Sequence, residues 1–161
     1  MMPRTNRGPL LQAGLLLGIG LGGFADGILL HQILQWHNML SSLYPPNDLV
    51  SIKYNMVFDG LFHAMTWLVT VAGVAALWRA GAKPDVAWSG RTFLGSTFIG
   101  YGLFSLVEGT IDHQLLGLHH VHPGRAQLAW DVGFLLFGAI LAIAGYVLVR
   151  QGRRSLPHTN L

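Results

Sequence analysis

Four long apolar segments constrain the fold of this chain more than any other feature. They cover roughly residues 9–37, 55–78, 91–118 and 127–150. A helix that crosses a bilayer needs about 20 mostly apolar residues, and each segment is at least that long. Only 11% of the residues are charged, which suits a lipid environment because a lone charge in hydrocarbon is costly. The sequence predicts an all-α integral membrane protein with four transmembrane helices, in one domain over residues 1–161 that ends in a polar tail at 152–161.

Basic residues are concentrated at one end of the predicted bundle. Lys53 and Arg125 belong to the loops at the other end. The remaining basic residues are Arg4, Arg7, Arg79, Lys83, Arg91, Arg150, Arg153 and Arg154. Because cytoplasmic loops carry an excess of Lys and Arg, we expect both termini in the cytoplasm. We interpret the net charge of +3 as this signal and expect no nucleic-acid partner. The first apolar run exceeds the ~7–15 residues of a signal peptide, so we expect a retained helix.

One motif occurs twice in the chain. Residues 26–37 read DGILLHQILQWH and residues 108–119 read EGTIDHQLLGLH, so an acid, a Gly, a His-Gln pair, a Leu and a closing His recur at the same spacing. The segments that follow also align, KYNMVFDG at 53–60 with RAQLAWDV at 125–132. Each copy contains two spans and therefore enters the membrane in the same direction. We expect a parallel duplication of a two-helix hairpin. The two repeats are residues 9–79 and 91–151.

Ionisable side chains are unusually frequent in the outer half of the predicted spans. Five carboxylates fall there, and an unpaired carboxylate at mid-membrane costs about 2.5–3.5 kcal/mol even by low estimates. Histidines interleave with them and the chain has no cysteine, so a metal ion would be held by imidazole and carboxylate groups. We expect two or three transition-metal ions, of iron, copper or zinc. The predicted ligands are Asp26, His31, His37, Asp59, His63, Glu108, Asp112, His113, His119 and His120.

Four further residues are expected to support these ligands through hydrogen bonds. They are Gln32, Gln114, His122 and Asp131. Asp131 is placed in this group because Leu135 stands where the first repeat has His63. A rotation of about 100° per residue further predicts that Asp26 and His37 lie on one stripe of an α-helix. Glu108, Asp112 and His119 are expected on the equivalent stripe in repeat two.

Together these motifs resemble a known family. The duplicated acid-Gly-x3-His-Gln-x-Leu-x2-His motif, DGLFH in span two and HHVHPG in an outer loop are similar to a small family of bacterial four-helix membrane proteins classified only as a domain of unknown function. The resemblance covers roughly residues 10 to 150. It implies placement in a bacterial inner membrane and brings no activity with it. With the expected orientation, the ligands face the periplasmic or extracellular side.

The residues favour a metal-dependent membrane oxidoreductase that uses dioxygen, a quinone or a lipid, because helical bundles that hold His and carboxylate groups often form dinuclear redox sites. Three alternatives remain open. One is a metal carrier, a chaperone or a proton relay for a respiratory enzyme. Another is a zinc-dependent lipid hydrolase. The third is a b-type haem protein with paired axial histidines.

Overall fold

The computed structural model describes residues 6–154, and within that range the protein is built from helices. The four α-helices are α1 (Gly8–Ala25), α2 (Leu49–Gly81), α3 (Gly90–Glu108) and α4 (Gln127–Arg154). Two π-helical segments, π1 (Asp26–Ile33) and π2 (Gly109–Leu115), continue α1 and α3 without a break. The predicted all-α fold is confirmed.

Three of the four helical units are long and apolar enough to cross a membrane. They are Gly8–Ile33, Leu49–Gly81 and Gln127–Gly152. The α3 segment is not among them, and its buried face explains why. That face carries hydroxyl groups and glycines, including Thr92, Ser96 and Ser105. Since α3 packs against both α1 and α4, these polar groups contact protein and not lipid, so the helix does not need a uniformly apolar sequence.

The two hairpins meet along α1 and α3, where glycines allow a close approach. A Cβ atom on Gly18 would collide with the Thr97 carbonyl oxygen, and one on Gly100 would collide with the Leu15 carbonyl oxygen. Gly18 and Gly100 are equivalent positions in the two repeats. Because the contact is reciprocal, the pseudo-twofold axis passes between α1 and α3 at this point, as expected for a parallel duplication.

The first helical unit of each repeat ends in the same way and earlier than the sequence predicts. This unit is α1 with π1 in repeat one and α3 with π2 in repeat two. The Leu34 N–H donates to the Leu29 carbonyl at 2.8 Å, and in repeat two the Leu116 N–H donates to the Ile111 carbonyl at 2.8 Å. Each pair is five residues apart, which is the π-helical spacing. A left-handed residue then reverses the chain: Gln35 has φ 50° and Gly117 has φ 58°.

The expected α-helical stripe through Asp26 and His37 is therefore wrong. The helix that contains Asp26 ends at Ile33, and His37 returns to the bundle from the loop that follows. The same holds for His119 in repeat two, because π2 ends at Leu115.

The two ends of the bundle are defined by loop contacts. At one end, Asn6 donates to the Asp85 carbonyl and accepts from the Ala87 N–H, which joins the start of α1 to the connection between α2 and α3. At the other end, the Ser42 N–H donates to the Leu118 carbonyl at 3.0 Å. Repeat one and repeat two therefore present equivalent loops at the same end.

The start of α2 is set by a capping side chain. Asp48 accepts from the N–H groups of Val50 and Ser51 and from the Ser51 hydroxyl. The Ser51 N–H, the Ser51 hydroxyl and the Val50 N–H hold the pKa of this exposed carboxyl below its ordinary value. A cap at Asp48 lets the helix begin six residues before the predicted start at 55, because it satisfies otherwise free N–H groups.

Candidate metal centre

Four buried histidine rings meet at the pseudo-twofold axis. His37 and His119, one from each repeat, stack with centroids 4.6 Å apart and an interplanar angle of 10°. His31 lies 4.5 Å from His37, and His113 lies 4.9 Å from His119. Each ring is at most 3% exposed. The duplicated motif thus places one histidine pair from each repeat into a single cluster.

The local backbone explains how these side chains converge. His31 lies on π1 and His113 on π2, so both project from the helical segment itself. His37 and His119 come back from the reversed loops that start after these segments. Two carboxylates lie at the junctions between the α-helical and π-helical segments and contact the same rings. Asp26 is the first residue of π1, and Glu108 is the last residue of α3.

The loop histidines are held by backbone atoms of the opposite repeat. The Nδ1 of His37 donates to the Val121 carbonyl at 2.9 Å, and the Nδ1 of His119 donates to the Met39 carbonyl at 3.1 Å. A carbonyl oxygen can only accept, so each Nδ1 carries the proton. In a neutral ring the Nε2 atom then has a free lone pair, and this atom is the one left available for a metal ion.

The helical histidines are held from behind by carboxylates of α2 and α4. His31 Nδ1 lies 3.0 Å from Asp59 Oδ1, and His113 Nδ1 lies 3.5 Å from Asp131 Oδ1. A carboxylate behind an imidazole fixes the ring orientation and raises its basicity, as is usual for metal-bound histidine.

Both of these carboxylates accept several further hydrogen bonds. Asp59 accepts from the Met39 N–H at 2.8 Å and from the Asn38 amide at 2.7 Å. Asp131 accepts from the Val121 N–H at 3.0 Å and contacts His120 Nδ1 at 2.7 Å. These hydrogen bonds fix the position of one carboxylate in each repeat behind its helical histidine.

The Nε2 atoms of three of these histidines face two more carboxylates, Asp26 and Glu108. His31 Nε2 lies 3.1 Å from Asp26 Oδ2. The Oε1 atom of Glu108 lies 3.0 Å from His113 Nε2 and 2.9 Å from His119 Nε2. Two groups of three residues bring ligand atoms within 4.8 Å of one another and could hold a metal ion. These groups are His31 with His37 and His119, and Glu108 with His113 and His119.

Several buried atoms at this centre make no well-formed hydrogen bond, although some of them lie close to an ionisable partner, as Asp26 Oδ2 and His31 Nε2 do at 3.1 Å. They are both carboxylate oxygens of Asp26, the Oε2 of Glu108, the Nε2 atoms of His31 and His37, and both ring nitrogens of His113. Buried polar atoms are normally paired because leaving one unpaired costs about 1–3 kcal/mol. Buried nitrogen and oxygen atoms without well-formed hydrogen bonds, gathered around one point, could hold cations.

The other predicted ligands lie around this centre. His63 is half-buried, its Nδ1 donates to the Asp59 main-chain oxygen at 2.7 Å, and its Nε2 faces Gly27. Asp112 lies on π2, is half-buried and borders an apolar cavity. His120 contacts Asp131. None of the three belongs to either group of three ligands found among the described residues.

The predicted supporting residues divide into two kinds. The Gln32 amide lies 3.5 Å from Asp59 and the Gln114 amide lies 3.4 Å from Asp131, so the recurring glutamines reach the same two carboxylates. Asp131 contacts both His113 and His120. It therefore has histidine neighbours even though Leu135 stands where repeat one has His63. His122 instead donates to the Pro123 carbonyl, and its ring packs against Trp36 and Trp130.

Sequence reasoning missed Asn38, Met39 and Val121. Asn38 could have been found, because it aligns with His120 one position beyond the duplicated motif. The roles of Met39 and Val121 depend on main-chain atoms that every residue possesses, so no residue pattern signals them.

Two cavities lie between the loops and the cluster. One, of about 450 Å³, is bordered by His31, Asn38 and Asp59. The other, of about 470 Å³, is bordered by His37 and His120. Both open at the loop end of the bundle, so water and ions can approach the histidines from that side.

Comparisons with known proteins bear on the whole of this architecture. No curated protein and no solved structure matches the chain significantly. A family model described as "Predicted membrane protein (DUF2243)" matches residues 13–152. This range includes both copies of the motif and every residue of the candidate centre, and it confirms the resemblance inferred from the motifs. The chain belongs to this family of membrane proteins.

Proposed function

We propose that this protein binds two transition-metal ions, one on each side of the pseudo-twofold axis, and acts as a membrane oxidoreductase. Asp26, His31 and His37 would serve one ion, and Glu108, His113 and His119 the other. The observation that carries the proposal is the orientation of the imidazoles. Loop carbonyls and outer carboxylates occupy the Nδ1 side of the rings, while the Nε2 atoms of His31, His113 and His119 face two buried carboxylates.

Charge balance supports two ions. Asp26, Asp59, Glu108 and Asp131 are all at most 6% exposed, and together they carry about four negative charges when ionised. Two divalent cations would neutralise them, which a single divalent ion would not. The 2.9 Å contact between His119 Nε2 and Glu108 Oε1 supports the same conclusion. With Nδ1 protonated, two lone pairs would face each other there unless a cation or a proton lies between them.

The packing favours metals that stay bound over metals that pass through. The ligands are buried and their rings are held from behind by hydrogen bonds, which suits a resident cofactor better than a carrier that must release its metal. The four rings also pack directly against one another, with centroids 4.5–4.9 Å apart for the closest pairs. That packing disfavours a haem, whose macrocycle must lie between its axial ligands.

A metal-free proton relay is the second candidate. Both ring nitrogens of His31 face carboxylates, Asp26 on one side and Asp59 on the other. An imidazolium in that position would satisfy both contacts and could pass a proton between them. The relay needs protons wherever the metal proposal needs cations, so metal content separates the two.

The test is the metal content of protein purified in detergent without chelators and without a polyhistidine tag. We expect about two ions per chain by elemental mass spectrometry. Glu108→Ala and His113→Ala should each lose at least one ion per chain, because each removes a ligand from the same group. His122→Ala is the matched control, since it removes a histidine at the same end of the bundle without touching the centre.

The outcomes separate the candidates. Unchanged metal content in both variants would overturn the assigned centre. A folded wild-type protein without metal would favour the proton relay. Bound iron or copper with a visible or near-ultraviolet charge-transfer band supports the oxidoreductase, and stoichiometric zinc would support the lipid hydrolase instead.

A further inference from the structure

The cavity of about 450 Å³ at the loop end of repeat one has a polar wall and an apolar edge. The polar wall includes three amide side chains from π1 and the loop that follows it, Gln32, Gln35 and Asn38. The opposite wall is a stripe of α2 residues spaced three or four apart, Ile52, Asn55, Met56 and Asp59.

The three amides have hydrogen-bonding capacity that the protein does not use. The Gln35 side chain makes no hydrogen bond with any residue in the described part of the chain. The Gln32 amide lies 3.5 Å from Asp59, at the outer limit of a hydrogen bond. The Asn38 amide donates to Asp59 at 2.7 Å. Since an amide has two N–H donors and a carbonyl acceptor, all three groups can still bind a ligand.

Gln35 is also held in a backbone conformation that costs free energy. Its φ is 50°, whereas repeat two has Gly117 with φ 58° at the equivalent position. Glycine adopts positive φ without strain, and the exposed Gln35 side chain gains no buried packing in return. Strained residues are concentrated at sites that bind ligands, so we attribute the glutamine to contact with a ligand in the cavity.

The charges around the cavity favour a neutral ligand. Its lining residues, all in the described part of the chain, include no Lys or Arg that could bind an anion. The Asp59 carboxylate already contacts His31 Nδ1, the Asn38 amide and the Met39 N–H. A cation would therefore compete with groups that already satisfy this carboxylate, whereas a neutral head needs only the amides.

The apolar edge of the cavity belongs to a lipid-facing surface. Ile52 is 37% exposed and Met56 is 66% exposed, and both lie on α2, one of the helices long and apolar enough to cross a membrane. At about 1.5 Å per residue, Met56 is about 10 Å from the first residue of α2. This edge therefore lies near one surface of the bilayer, where the polar heads of lipids are found.

We propose that this cavity binds a neutral amphiphile whose head carries carbonyl or hydroxyl oxygens. Gln32, Gln35 and Asn38 bind the head, and the apolar tail lies against Ile52 and Met56. Diacylglycerols and quinones share this chemistry. Binding is separate from the proposed metal function, because the cavity borders Asp59, on the Nδ1 side of His31, and the Nε2 atom of that ring is buried.

The experiment is photo-crosslinking of the full chain in phosphatidylcholine nanodiscs with a diacylglycerol that carries a diazirine, followed by peptide mapping. We expect crosslinks within residues 32–38 and 52–59. Unlabelled dioctanoylglycerol or a short-chain quinone should compete for the site. Dioctanoyl phosphatidylglycerol should compete at least about tenfold more weakly, because its charge has no partner in the cavity.

Two variants test the assigned contacts. Gln35→Gly copies repeat two, and we expect it to bind about two- to tenfold more weakly and to unfold at a temperature at least as high as the wild type. Met56→Trp narrows the apolar edge and should weaken binding at least about tenfold. Leu128→Trp is the matched control, because Leu128 is the equivalent residue of repeat two and is 68% exposed.

Each outcome has a separate meaning. Crosslinking that Gln35→Gly and Met56→Trp both leave unchanged would overturn the inference. Equal competition by phosphatidylglycerol would overturn the neutral head. Competition by the quinone alone, or by the diacylglycerol alone, would support the site and identify which of the two it binds. Loss of crosslinking after treatment with a chelator would overturn its separation from the candidate centre. Specific binding to protein that never held metal would support the inference while the proposed metal function fails.

Discussion

Asp59 lies behind the candidate ligand His31, and its carboxylate contacts several neighbouring residues. Its carboxylate meets His31 Nδ1, the Asn38 amide and the Met39 N–H. We predict that Asp59→Asn lowers metal affinity about 10- to 100-fold, because the amide keeps the size of the side chain but loses the charge that orients the imidazole. Competition with a chromophoric chelator measures this change.

Asp48→Asn is the control for that substitution. Asp48 is an exposed carboxylate at the start of the same helix, and asparagine also caps helices well. Its metal affinity should match the wild type. Equal affinity in both variants would show that Asp59 does not act on the centre.

The paired histidines of the centre could be predicted because the motif that contains them occurs twice in the sequence. His31 and His113, and likewise His37 and His119, occupy equal positions in the two copies of the motif, and the structure brings all four together. Predicting which carboxylates lie inside the cluster was harder. Asp112 was placed there by an α-helical rotation angle, and the wider π-helical turn changes that angle.

At the scale of the helices, the contact between α1 and α3 depends on glycine. We predict that Gly100→Ala destabilises the protein by about 1–3 kcal/mol, because the added methyl would collide with a carbonyl oxygen of α1 and force the helices apart. Unfolding in mixed micelles measures the change, and metal content should fall with it, since these helices also carry the ligands.

Gly60→Ala provides the comparison. A Cβ atom on Gly60 meets nothing within 4 Å, and alanine is favoured over glycine in a helix by about 0.5–1 kcal/mol. The variant should be at least as stable as the wild type. A loss of stability equal to that of Gly100→Ala would show that close packing at the crossing is not the cause.

The lengths of the apolar segments predicted that the helices exist, but they did not predict where the helices end. The sequence predicted spans ending at 37 and 118, but the helical segments stop at Ile33 and Leu115. The reversal uses Gly117 in repeat two, where glycine adopts positive φ readily, but Gln35 in repeat one. Because positive φ is uncommon for a side chain such as glutamine, that turn had no signal in repeat one.

For the molecule as a whole, the duplication predicts that both hairpins have the same orientation. The absence of cysteine from the chain makes this testable with single introduced thiols. Ser42→Cys lies in an exposed loop at the end of the bundle that carries the candidate centre. Ala82→Cys lies in the connection between α2 and α3, at the opposite end. We expect a membrane-impermeant maleimide to label Ser42→Cys in intact cells and Ala82→Cys only after permeabilisation.

The reverse labelling pattern would show that the charge distribution was misread and that the centre faces the cytoplasm. Labelling of both sites from the same side would contradict the hairpin arrangement itself. Membrane character and the two-repeat organisation could both be predicted from the sequence, because the lengths of apolar segments and the spacing of motifs are visible in the sequence itself.

The crossed hydrogen bonds of the two loops have a consequence for how the centre forms. His37 is held by the Val121 carbonyl of the other repeat, and His119 by the Met39 carbonyl. The N–H groups of Met39 and Val121 in turn donate to the carboxylates behind the helical histidines. Because each loop is held by the other, ordering one favours ordering the other, and under the proposed function the first ion to bind would preorganise the ligands of the second. Loading should therefore be cooperative, with protein that holds a single ion only sparsely populated.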